Sequence, residues 1–229
     1  MKRFHALARN RSGVAMIEFA LGAPLVLFAG LWGTETANFA MTTMQLNQLA
    51  AQIADNASRA GDGSSLQSRK VYESDINDVL YGAQLQAGQL DLFRNGRVII
   101  SSLEVRPVGT GGAGSQYIHW QRCRGAMAVG SSYGEEGQTL PNGMGEPGEE
   151  VIAPDGGAVI FVELHYTYQP LVSKSLIRGE TIKSTATFTV RDQRDLSQIY
   201  QQDPSDPDPV QRCNSYSGTI TVGTSGQMT

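Results

Sequence analysis

Two glycine-centred spacings and a handful of scattered ionisable residues are where chemistry could reside in this chain. Gly109, Gly111 and Gly114 satisfy G-x-G-x-x-G. That fingerprint holds a pyrophosphate only when a helix follows at once and presents its N–H groups. Here Gln116 to Trp120 reads as strand, so a flexible turn between strands is the better account. Gly130, Ser132 and Gly134 satisfy G-x-S-x-G, the nucleophile elbow, which needs a strand before it and a helix after it. Glycines and prolines follow instead, and His119 or His165 would have to serve as base without an α/β fold around it. His5, His119 and His165 are isolated and make no H-E-x-x-H. Asp203, Asp206 and Asp208 are interrupted by prolines that break the spacing of a calcium loop. The expectation is a chain without an enzyme's machinery, a cofactor or a metal.

Glu18 is a different case. It is the one charge in the run from Val14 to Trp32. Nineteen residues at about 1.5 Å each make a helix of roughly 28 Å, close to the ~30 Å hydrocarbon core of a bilayer. Upstream stand Lys2, Arg3, Arg9 and Arg11 with no acid among them, the bias that keeps an N-terminus in the cytoplasm. A charge inside such a helix costs about 2.5–3.5 kcal/mol on insertion scales and so has a partner or a function, unless it reaches the cytoplasmic interface. A secretory signal peptide competes for the segment. Its apolar region is normally about 7–15 residues, and Ala37 to Ala40 is a weak cleavage site.

The order of these residues is itself a pattern: basic leader, Gly13, an apolar run, and a carboxylate five places after the glycine. It resembles the processing site of type IV prepilins. More narrowly, Gly13, Glu18, Phe19, Ala20 and Pro24 make the segment similar to the N-terminus of the TadE/TadG-like family of tight-adherence (Flp) pilus assembly proteins. Val14 departs from the phenylalanine common at the first mature position of ordinary type IV pilins. The resemblance covers mainly residues 11–60, with VELHYTYQPL and ATFTVR less specific matches further on. It implies a minor pilin, pseudopilin or pilus assembly component in the bacterial inner membrane. The N-terminus would be cytoplasmic, the C-terminal domain periplasmic, and incorporation into a pilus possible. It also implies a prepilin peptidase cutting between Gly13 and Val14, Glu18 pairing with a freed α-amino group, and other pilus or pilin subunits as partners. Some relatives carry an adhesion domain with an Asp-x-Ser-x-Ser motif; Asp62 to Leu66 has only its first half, so that function is not carried over. The alternative is a membrane-anchored periplasmic binding or adhesion module unrelated to pili.

Composition sets the remaining bounds. The 229 residues carry a net charge of −4 and 7% aromatics, suiting one membrane segment and one modest domain. Without the four cations of the leader the rest of the chain stands at −8, which argues against a nucleic-acid or anionic-lipid partner. Cys123 and Cys213 both lie in the exported part, where an oxidising compartment favours a disulfide. A metal site is the poorer alternative, since neither C-x-x-C nor clustered histidines accompany them.

The elements expected to position these residues follow from periodicity. Residues 1–13 are the basic leader and 14–33 the transmembrane helix. Over 34–60, an amphipathic extension carries Leu46, Leu49, Ala50, Ile53, Ala54 and Ala57 at helical spacing, with Arg59 in the last turn. The two stretches form either one helix of about 70 Å, with a kink open at Pro24, or an anchor followed by a separate short helix. Residues 61–200 are expected to form an α+β periplasmic head, pilin-like in following a long N-terminal helix. It begins with a helix over 74–87 capped by Ser74 and stopped by Gly88. A hairpin turn at Asn95-Gly96 and strands at 97–108, 117–123, 159–168 and 182–191 then give a small antiparallel sheet with one polar side. His119, Trp120 and Arg122 are expected to pack around the disulfide. Residues 125–157 are glycine-rich and without period, either a contact loop or a mobile insertion. Residues 201–229 form a Pro/Asp-rich tail, extended or disordered and pinned by Cys213, with a short strand at 219–222 or a frayed end.

Overall fold

The computed structural model describes residues 12–61, 68–106, 114–174, 179–191 and 193–219. The order of elements is α1 (Ser12–Arg59), α2 (Glu73–Ala87), a 3₁₀ turn (Gly88–Leu90), α3 (Leu92–Asn95), β1 (Gly96–Val105), β2 (Gln116–Arg124), β3 (Ala158–Thr167) and β4 (Thr181–Thr189). This is an α+β chain: a long helix, apolar in its first half, and one antiparallel sheet of four strands in the order β2-β1-β3-β4. It falls into two units, Met1–Thr42 with Gln169–Gly179 and Thr43–Tyr168 with Glu180–Thr229.

Helix α1 is a single helix of 48 residues that continues through Pro24, so the alternative of two separate helices does not hold. In the second unit its stripe Leu46, Leu49, Ala50, Ile53, Ala54 and Ala57 is buried, as the spacing predicts. Ser184 of β4 donates a 2.7 Å hydrogen bond to Asn47 Oδ1, which puts this part of the helix on the face of the sheet that carries Ile160, Val162, Leu164 and Ile182. The helix end leaves carbonyls without intrahelical donors. Arg194 answers them, donating to the carbonyls of Ala60 at 2.7 Å and Ser58 at 3.0 Å.

Four local expectations need correction. Helix α2 starts one residue early and is not capped by Ser74. The Asp75 carboxylate accepts the Tyr72 N–H at 2.8 Å, while Ser74 Oγ points to Gln202 at 3.4 Å. Asn95-Gly96 is not a hairpin turn: Asn95 ends α3 and Gly96 opens β1, where a Cβ would run into the His165 carbonyl oxygen of the neighbouring strand. Arg122 and Cys123 are successive strand residues and so lie on opposite faces. Arg122 pairs with Glu73 of α2 at 2.5 Å and therefore does not pack around the disulfide. The tail from Gln201 to Pro209 has no regular structure but is tied down: Asn77 of α2 donates to the Pro209 carbonyl at 3.0 Å, and the Gln201 side chain closes the segment on itself through the N–H and carbonyl of Asp208, at 2.7 and 3.2 Å.

The largest correction concerns the polar side of the sheet. Strands β1 and β3 are buried over nearly their whole length. Residues 125–157 form a cover over the second face, which the sequence reading did not foresee. Met144 and Ala153 of this segment pack with Leu103, Ile118, Val159 and Phe161 in one apolar cluster. The Gln116 side chain clamps the segment by accepting the Ala153 N–H at 2.7 Å and donating to its carbonyl at 3.1 Å. Glycine serves this path at Gly143, whose φ of +95° lets Met144 and Val151 exchange backbone bonds at 2.9 Å. Only β4, an edge strand, keeps Lys183, Thr185 and Thr189 exposed.

Candidate functional site

The first candidate is the apolar half of α1. Gly13 and Val14 lie in its first turn, exposed, and Glu18 is exposed one turn further on. Among the described residues Glu18 has no hydrogen-bond or ion-pair partner. Met16, Phe19, Leu25 and Val26 are each 72% exposed, and no residue of the most apolar window is buried. Four consecutive exposed residues, Leu25 to Phe28, occupy every side of the helix, so this is not a stripe facing one core. By length and composition the helix is long and apolar enough to cross a membrane. A contiguous exposed apolar surface of this extent marks a site of interaction with a membrane or with protein. Thr34 and Thr36, where the run ends, return their hydroxyls to the carbonyls of Gly30 and Trp32 at 2.9 Å.

Glu35 was missed by the sequence reading. It is 1% exposed and accepts the backbone N–H groups of Val172 at 2.7 Å and Leu171 at 3.2 Å. A signal was present, since Glu35 is the only ionisable residue between Glu18 and Asp55. Nothing local identifies its partners, which lie 136 and 137 residues away.

The second candidate is the polar layer between the sheet and its cover. Arg97 is completely buried and donates to the carbonyls of Cys213 at 2.6 Å, Ser215 at 2.9 Å and Gly125 at 3.0 Å, with its guanidinium 4.3 Å from the Tyr216 ring centre. Burial pushes its pKa down. Cys123 and Cys213 form a disulfide with a Cα–Cα distance of 4.7 Å, and Arg97 holds the residues that follow it. Glu163, fully buried, accepts the Ser132 N–H at 2.8 Å and the Ser131 hydroxyl, with His165 Nε2 3.6 Å away. Ser132 thus meets the layer through its amide, and the serine beside it bonds a carboxylate rather than an imidazole. His119, the extra residue of a bulge in β2, turns its Nδ1 to Glu104 at 2.8 Å. Among the described residues no three of His, Cys, Asp and Glu gather as a metal ion would need. Asp203 is bonded to Ser205, and Asp208 is buried with its pKa raised, by burial first and then by Asp206, Asp78 and Glu73. Most of the 109–114 motif, Asp62 to Leu66, His5, the cations of the leader and residues 220–222 lie outside the described residues.

No protein-family model, curated protein or solved structure matches the chain.

Proposed function

We propose that this chain is a single-span inner-membrane protein with a periplasmic head, acting as a minor pilin, pseudopilin or assembly component of a tight-adherence type IV-like pilus. The observation that carries the reading is Glu18, without a partner among the described residues, five places after Gly13 on a helix whose apolar surface is exposed on every side. A carboxylate at that depth is costly alone and favourable beside a cation, so it selects the register in which helices associate. The proposed mechanism is lateral: α1 packs against the helices of other pilus subunits, Glu18 meets the α-amino group that a prepilin peptidase frees at Val14, and the head displays a surface to further components. The head's own bonds, with the disulfide between two of its segments, support a body that keeps its fold when helix pairing is disturbed.

The deciding measurement is the N-terminal sequence of the protein recovered from its native membrane. A start at Val14 supports prepilin-type processing, a start at Met1 a permanently anchored assembly factor, and a start near Met41 a cleaved signal peptide, which would refute the reading. Glu18→Ala should then abolish or sharply reduce piliation while the disulfide still forms. Unchanged piliation in that variant would count against helix pairing through Glu18.

A further inference from the structure

Glu35 and the backbone it holds point to a second contact with the bilayer. Counted along α1, Glu35 lies three residues beyond Trp32, the last large apolar residue of the run, or about 4.5 Å along the axis. The headgroup layer outside the hydrocarbon core is roughly 5–7 Å thick on each side. Groups within hydrogen-bond reach of Glu35 are therefore at headgroup depth when α1 spans. The amides of Leu171 and Val172 are such groups, at 3.2 and 2.7 Å.

The bond pattern suits that depth. A carboxylate 1% exposed needs donors, and two backbone N–H groups of a non-regular segment need acceptors where water is scarce. Each satisfies the other. The side chains that the arrangement leaves outward are an aliphatic one and a cation: Leu171 is 67% exposed and Lys174 is exposed, with Pro170 and Val172 half-buried beside them. An apolar tip flanked by a lysine is the composition of an interfacial anchor, the lysine reaching phosphate while the leucine enters the acyl boundary.

We infer that Pro170–Lys174, in the connection from β3 to β4, is seated by Glu35 in the outer headgroup layer of the bilayer that α1 crosses, with Leu171 as the inserted side chain. This rests on α1 being a membrane span, and the test separates the two. The full chain, which has no free cysteine, is given a single thiol by Leu171→Cys or Leu25→Cys. The thiol is labelled with an environment-sensitive fluorophore, and the protein is reconstituted into phosphatidylethanolamine/phosphatidylglycerol vesicles containing lipids spin-labelled at the headgroup or deep in the acyl chain. The expected result is loss of Leu171 fluorescence mainly to headgroup quencher and of Leu25 fluorescence mainly to the deep quencher. Quenching at Leu25 with none at Leu171 overturns the inference and leaves the span standing, whether the Leu171 label is then in water or under protein. No quenching at either position overturns both. Adding Glu35→Leu should abolish quenching at Leu171 and leave Leu25 unchanged; persistence at Leu171 would refute Glu35 as the holding group.

Discussion

Replacing Arg97 by methionine tests whether the buried guanidinium holds the tail on the head. Methionine keeps most of the stem's bulk and removes the three donated bonds, to Gly125, Cys213 and Ser215. At about 1.5–3 kcal/mol per bond from a charged donor, the gross loss is roughly 4.5–9 kcal/mol. Two terms reduce it. A buried cation carries a desolvation penalty of several kcal/mol that the variant no longer bears. The carbonyls of Cys213 and Ser215 lie on a terminal segment that can turn to water, whereas the Gly125 carbonyl stays buried at a cost of about 1–3 kcal/mol. The net expectation is a destabilisation of about 2–4 kcal/mol, a thirty- to thousandfold change in the folding equilibrium. The assay is denaturant unfolding of the detergent-solubilised full chain in a Trp32→Phe background, so that emission reports Trp120 alone. With the disulfide intact, limited proteolysis should also open the peptide bonds after Cys213 while the sheet stays protected. Arg97→Lys should fall between, since an ammonium keeps the charge but lacks the fork. A loss below about 0.5 kcal/mol, the range of surface changes, would refute the reasoning.

Two further perturbations have defined outcomes. Cys123→Ser with Cys213→Ser opens a loop of 90 residues and should cost about 4–5 kcal/mol in the chain-entropy description, measured by unfolding with and without reductant; no loss would mean that the loop is already closed by Arg97, by Arg124, which donates to Gln211 Oε1 at 2.7 Å, and by the Cys123 and Gly125 N–H groups, which donate to the carbonyls of Gln211 at 2.8 Å and Ser217 at 3.1 Å. Asp208 has its folded pKa raised by burial and by neighbouring carboxylates, so the folded state binds its proton more tightly than the unfolded state, and stability falls as pH rises through the ordinary carboxylate range toward the folded value. Asp208→Asn should therefore be more stable than the parent at pH 7, with the gain vanishing below that range; an equal gain at acid pH would point to packing instead of charge.

Much of the architecture was legible because it is periodic. The stripe from Leu46 to Ala57 repeats at helical spacing and is buried as that spacing requires, and the alternation in VIFVELHYT places β3 within a few residues. The apolar run of α1 and the pair of cysteines were likewise visible as composition. Short-range signals fared worse where tertiary packing competes. Asn95-Gly96 has the chemistry of a hairpin turn, yet the close approach of β3 is what requires the glycine.

What only the tertiary structure decided is which polar groups meet. Arg97 sits in β1 directly before Val98, Ile99 and Ile100, with nothing nearby to show that two of its three acceptors are 116 and 118 residues away. Residues 125–157 have no period because they follow the contour of a sheet instead of repeating along an axis, so their role as a cover could not be read from their own spacing. Glu35 stands in the sequence as a lone carboxylate that the reading passed over, and nothing there shows that it holds the amides of Leu171 and Val172. Periodicity along the chain records which side of an element is apolar. The pairing of buried charges with distant backbone is set by three-dimensional proximity, because an unpaired buried group is costly and the fold selects whatever partner the topology brings within reach.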